Sequence, residues 1–260
     1  MTTRTPSDDT HPVRPGCEPW SSPGGGPNGA LVLHGFTGSP VSMRPLAEAF
    51  ADAGFAVEMP RLPGHGTDSA DLALTTWDDW LAEASRALAA LQARTPDGKV
   101  LVAGLSMGGA LTLALAEDHP ELAGIVAINA PTKGPADLMD GLQAMLEGGV
   151  DIIDSIGGDI ADPDADEASY DQTPLRPLLT MLVAGQAVLA KLGDIRCPTL
   201  VITSRQDHVV PPVDSDEIAA SVSGPVERLI LEKSFHVATL DYDRAEVEST
   251  AIAFARKVTA

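Results

Sequence analysis

Short unbroken apolar runs alternate along this chain with longer stretches in which apolar residues recur every three or four positions. The runs read as strands buried on both faces, and the longer stretches as amphipathic helices. "ALVLHG" at 30–35 is the first run. Met43, Leu46, Ala47 and Phe50 follow at helical spacing, and Gly54 ends that helix. "FAVEMP" at 55–60 predicts a second strand, and Trp77, Trp80, Leu81, Ala84, Leu88 and Leu91 form a long helical stripe. "KVLVAG" at 99–104 predicts a third strand. The helix expected at 106–118 is apolar nearly all round, as for a helix inside the molecule. "LAGIVAINA" at 122–130 closes this series.

The rhythm then stops. From about 131 to 194 no strand is predicted; the segment holds two glycine pairs, the acidic run "DPDADEASYD", and helical patterns around Leu138, Leu142, Met145 and around Leu178, Leu182, Leu189. Strands and helices resume with "CPTLVITS", a helix near 212–222, "VERLILE", and a final helix carrying Val247, Ala251, Phe254 and Val258. The class implied is α/β: a mostly parallel central sheet, helices on both faces, right-handed crossovers. Its core is expected at 29–130 and 195–260, with 131–194 as an inserted helical cap, too long for an ordinary connection. Residues 1–28, rich in Pro, Gly and Ser, are expected to form a flexible or loosely docked arm.

Composition narrows the function. The chain has 260 residues, enough for one such domain, and a net charge of −20. That charge repels nucleic acid and anionic membrane, so neither is expected as a partner. No apolar stretch is long enough to span a bilayer, and the N-terminus lacks the apolar central run of a secretory signal; a cytoplasmic protein is expected. Two cysteines, Cys17 and Cys197, make neither a disulfide framework nor a metal cluster.

Candidate chemistry centres on Gly104-Leu105-Ser106-Met107-Gly108, a G-x-S-x-G segment between a predicted strand and a predicted helix. This is the setting of a nucleophile elbow, where small neighbours let a strained serine stand at a tight turn. A serine hydroxyl needs a base. His11 lies in the arm, His119 at a helix end, and His34 and His65 in turns before Ser106; His208 directly follows an acid. Where the partners run in the order serine, acid, histidine, only His236 leaves room for an acid between. Asp207, just past the strand "TLVITS", is that acid; Asp214, Asp216 and Glu217 read as the solvated first turn of the next helix. Backbone N–H groups of Met107, after the serine, and of Phe36, in the loop "HGFTGSP", are the candidate oxyanion donors.

"VLHGFTGSP", "RLPGHGT", "GLSMGG", "QDHVVPP" and "FHVATLDYD" together resemble the α/β-hydrolase superfamily, from residue 29 to the C-terminus. The insertion's "IGGDIADPDADEASYDQTP" and the histidine segment are similar to those of small bacterial monoacylglycerol lipases and related carboxylesterases. This resemblance implies an α/β-hydrolase fold, a Ser106–Asp207–His236 triad, a Phe36/Met107 oxyanion hole, and a mobile apolar cap. It also implies that Glu167 contacts a glycerol head group. The implied reaction cleaves a small lipid ester through an acyl-enzyme, with no metal or organic cofactor and no stable membrane insertion. The alternatives are a carboxylesterase for short acyl esters and, of another class, a non-catalytic binding protein on the same fold. The sequence leaves chain-length preference and oligomeric state open.

Overall fold

The structure, a computed structural model, describes residues 3–132, 136–155 and 157–260. Its strands are β1 (Trp20–Ser22), β2 (Gly29–Leu33), β3 (Ala56–Met59), β4 (Val100–Leu105), β5 (Gly124–Ile128), β6 (Ile152–Asp154), β7 (Gln172–Pro174), β8 (Thr199–Ser204) and β9 (Val226–Leu231). The α-helices are α1 (Arg44–Asp52), α2 (Ser69–Leu72), α3 (Trp77–Arg94), α4 (Met107–Asp118), α5 (Ala136–Glu147), α6 (Leu175–Leu189), α7 (Pro212–Ser221) and α8 (Arg244–Thr259). Seven strands form one sheet in the order β1-β3-β2-β4-β5-β8-β9. Every pairing in it is parallel except β1 with β3. This is the α/β-hydrolase fold.

The continuous apolar runs have a direct cause: successive residues of a central strand feed different cores. Leu31 and Leu33 of β2 and Val100 and Val102 of β4 pack with α3 and α4. Ala30 and Val32, with Leu101, Ala103 and Leu105, pack with α1 and α8 on the opposite face. Both faces of these strands are dry, so neither set of positions can be polar. α4 sits deepest, with Met107 through Ala116 all buried.

Three strands escape the periodicity argument. β1 is three residues within a Pro/Gly-rich stretch, and it exists because its backbone pairs with β3 at the sheet edge. Within the insertion, where no strand was expected, β6 and β7 pair antiparallel as a two-stranded ribbon. The insertion is not a separate layer. Leu175, Leu178, Met181, Leu182 and Val188 of α6 belong to the same core as α3 and α4.

The N-terminal arm carries specific contacts instead of lying loose. Arg61 pairs with Asp9 at 2.5 Å, with side chains 6% and 2% exposed. Asp9 also accepts from the Gly64 N–H, Asp71 accepts from the Thr10 N–H, and the Arg14 guanidinium lies over the Tyr170 ring. Cys17 is fully buried.

Candidate active site

β4 delivers Ser106 and α4 leaves from it, so the serine occupies the turn between two buried elements. Its backbone sits at φ 55°, ψ −122°, a conformation that L-residues avoid. Ser106 is tied on both sides: its N–H donates to the Ile128 carbonyl, and its carbonyl accepts from the Ala110 N–H. The close approach of strand and helix depends on two glycines. A Cβ on Gly104 would stand 2.1 Å from the Gly108 carbonyl oxygen, and one on Gly108 would stand 2.2 Å from that of Leu33. Met107 opens α4, and the N–H groups of a helix's first turn have no intrahelical acceptor.

Phe36 lies in the loop after β2, its ring against Trp80 and His65. Thr37 beside it is held at φ 60°, with its hydroxyl donating to the Phe36 carbonyl. His34 and His65 buttress this loop from below. His34 Nε2 accepts from the Leu62 N–H, so its Nδ1 carries the proton that meets the Gly35 carbonyl. Burial pushes His34 down to about 4, and His65 well below its ordinary value. Both are neutral packing histidines.

The candidate acid and base meet at the far ends of β8 and β9. His236 Nδ1 and Asp207 Oδ2 are 2.7 Å apart, with side chains 8% and 2% exposed. The other oxygen of Asp207 accepts from the Val209 and Val210 N–H groups, each at 2.8 Å. A carboxylate so held faces the imidazole with one defined lone pair. It fixes the Nδ1–H tautomer and leaves Nε2 as the free acceptor.

Ser106, Phe36, Glu167 and His236 line one cavity of about 410 Å³. Asp207 stands behind His236. The wall is mainly apolar, built by Leu138, Leu142, Leu178, Met181 and Leu182 of the insertion with Val209 and Val210. Glu167, Asp214 and His208 are its polar members besides Ser106 and His236. Glu167 comes from the insertion. It is buried, and its Oε1 accepts from the Gly158 N–H at 2.6 Å. Burial raises its carboxyl above the usual range, while the Gly158 N–H, the nearby His236 and the Ser169 hydroxyl pull it back. The sequence placed Glu167 in a solvated acidic run, apart from the resemblance; the structure gives it an interior position.

Two polar residues that the sequence reading passed over hold these loops. Asn129, at φ 45° after β5, donates to the Ser204 hydroxyl and the His236 carbonyl, and accepts from the Ser204 N–H. Asp159 accepts from the backbone N–H groups of His236 and His208. An asparagine directly after an apolar strand tolerates a left-handed backbone, and that was the available sign for Asn129. Asp159 offered none. Asp214, expected to be solvated, is buried and accepts from the Thr132 N–H where the insertion begins. The remaining histidines lie elsewhere in polar pairs: His11 with Asp71 and His119 with Glu121.

A family model for the alpha/beta hydrolase family matches residues 30–249. The chain is 44% identical over 253 residues to the thermostable monoacylglycerol lipase of Bacillus sp. (strain H-257), across 96% of this chain and 98% of that protein. It is 26% identical over 239 residues to a carboxylesterase of Bacillus subtilis (strain 168), across 90% of this chain and 94% of that protein. A solved structure of a metagenome-derived lipolytic enzyme superposes with a TM-score of 0.90 at 42% identity, over 95% of this chain and 100% of that one.

Proposed function

The chain belongs to the alpha/beta hydrolase family, and on that premise we propose that it is a serine-dependent carboxylic ester hydrolase acting on monoacylglycerols. The observation that carries this reading is the Asp207–His236 pair beside an apolar cavity that Ser106 also lines. Ser106 Oγ attacks the ester carbonyl, and His236 Nε2 takes its proton. The Met107 and Phe36 N–H groups stabilise the oxyanion; losing one such donor costs roughly 10²–10³ in rate. His236 passes the proton to the leaving alcohol. It then takes one from water, whose oxygen attacks the acyl-serine; the acyl–Oγ bond breaks, His236 returns the proton to Ser106 Oγ, and the fatty acid is released.

The substrate class follows from the wall. A mainly apolar pocket with the buried Glu167 carboxylate beside Ser106 and His236 in its lining suits an alkyl chain ending in a polyol; the second buried carboxylate of the lining, Asp214, is engaged by the Thr132 N–H. Glu167 is proposed to accept hydrogen bonds from glycerol hydroxyls, which favours monoglycerides over diglycerides, whose second acyl chain removes a hydroxyl. The 131–194 insertion is proposed to act as a cap over the acyl chain. The 44% identity to a monoacylglycerol lipase supports this reading.

The test compares 1-monolauroylglycerol, its diglyceride and a short p-nitrophenyl ester. Monoglyceride cleavage that outpaces the other two and vanishes in Ser106→Ala is the expected result. Preference for the short ester would move the assignment to a general carboxylesterase. No turnover of any ester, with Ser106 unlabelled by a fluorophosphonate, would leave a non-catalytic binding protein.

A further inference from the structure

The acidic stretch of the insertion contains one carboxylate whose partners all lie in the two catalytic loops. Asp159 Oδ2 accepts from the His236 N–H and from the His208 N–H, each at 3.1 Å. Its Oδ1 lies 2.9 Å from His208 Nδ1, and its own carbonyl accepts from the Val237 N–H. The side chain is largely covered, at 16% exposure.

These contacts concern a separation. His208 follows Asp207 directly, so a single oxygen atom bridges the backbone of the imidazole-bearing loop to the residue beside the carboxylate that orients it. The loop after β8 and the loop after β9 also meet through Arg205 and Gln206 on Glu232 and through the His208 ring on Phe235, but next to the imidazole the direct link besides Asp159 is the side-chain bond from Asp207 to His236. The His236 carbonyl is held from the opposite side by the Asn129 amide, which belongs to the core. The catalytic histidine is thus gripped through its N–H by the insertion and through its C=O by the core. Asp241 reinforces the same junction, accepting from the Phe235 N–H and from the Ala161 and Asp162 N–H groups of the insertion. One residue earlier, the Gly158 N–H holds Glu167. A short piece of insertion backbone therefore supports the head-group carboxylate on one side and the acid–base pair on the other.

We propose that Asp159 is a positioning residue of the ester-cleaving site, its insertion-borne carboxylate holding the Asp207 and His236 loops at the separation that their hydrogen bond requires. This rests on the serine-hydrolase reading above. Asp159 touches no reacting atom. It acts by keeping His236 Nε2 aimed at Ser106, and an aim lost by about 1 Å can cost about 10²-fold in rate. It follows that the insertion is a component of the catalytic machinery as well as its cover.

The experiment measures the second-order rate of fluorophosphonate labelling at Ser106, with kcat and KM on 1-monolauroylglycerol and a thermal melt. In Asp159→Ala, labelling and kcat fall together by about 10- to 100-fold, while KM changes little. Asp159→Asn recovers most of the rate, because an amide oxygen can take the place of Oδ2 towards both N–H groups. Asp159→Ser, too short to reach both, serves where the alanine variant does not fold, and it labels slowly. Labelling of the folded Ala or Ser variant at the wild-type rate overturns the proposal, whatever the melt shows. So does an Asn variant as slow as Ala. Failure of the wild-type protein to label at Ser106 overturns instead the serine-hydrolase reading beneath it.

Discussion

Asp207→Asn is the most informative single change, because the surroundings of Asp207 dictate how the amide must sit. One carboxylate oxygen accepts two backbone N–H groups, from Val209 and Val210, and the other faces His236 Nδ1. An asparagine offers one oxygen and one NH₂. Turning the NH₂ toward the two backbone donors leaves both without an acceptor, at about 1–3 kcal/mol each. Even the lower figure, about 2 kcal/mol for the two, favours the opposite orientation by roughly 30-fold. The oxygen therefore stays with the loop and the NH₂ donates to Nδ1. The imidazole is forced into the Nε2–H tautomer, which cannot accept the Ser106 proton. Loss of about 10⁴ in kcat, near 5.4 kcal/mol in the barrier, is the expected scale for a wrong tautomer. Melting stays close to wild type because the loop bonds survive. Asp207→Ala, which imposes no tautomer, should be no slower than Asn despite its cruder truncation. Kinetics on a p-nitrophenyl ester, paired with a melt, check this. An Asn variant within 10-fold of wild type, or clearly faster than Ala, would refute the reasoning.

Other expectations follow from the same geometry. Glu167→Gln keeps an oxygen for the Gly158 N–H and removes a charge that burial penalises. Melting at neutral pH should hold or rise, while kcat/KM on monolauroylglycerol falls about 10- to 100-fold and a glycerol-free ester loses less. An unchanged monoglyceride rate would end the head-group role. Burial holds His34 at about 4 against an ordinary value of 6.5, so in that window the unfolded chain binds more protons than the folded one. Stability is complete above the window and declines as pH falls through it, by about 3 kcal/mol from His34 alone. Melts from pH 7 to 4 measure the slope, and His34→Gln should flatten it. Breaking the covered Asp9–Arg61 pair with Asp9→Ala should cost about 3–5 kcal/mol. In a chain of this size that lowers Tm by roughly 2–4 °C per kcal/mol; an unmoved Tm would show that the arm does not dock.

The legible parts of this molecule are those whose cause is local. Five sheet strands, β2, β3, β4, β5 and β8, announce themselves because both their faces are largely buried, the half-exposed edge strand β9 does so only through its run of branched apolar residues, and Ser106 does so because its turn demands glycines at fixed offsets. β1 and the β6–β7 ribbon were illegible, since three residues are too few to show alternation and their pairing is supplied by distant backbone. The arm reads as loose because Pro, Gly and Ser dominate it. Its anchor, Asp9, finds Arg61 52 positions away. Asp159 is the extreme case. Its partners lie 49 and 77 residues downstream, and within its own stretch it looks like any other surface acid. Glu167 was marked only by resemblance, because nothing in an acidic run says which member will be drawn inside.

The wedge formed by α6 bears on how variants of this protein could be engineered. Since its Leu175, Leu178, Met181, Leu182 and Val188 are shared with α3 and α4, the 131–194 block is not an exchangeable cassette. A graft taken from a relative would arrive with knobs shaped for another protein's holes. Chimeras aimed at new acyl specificities should leave α6 in place and transplant α5 alone, or carry the matching surfaces of α3 and α4 along with the donor segment.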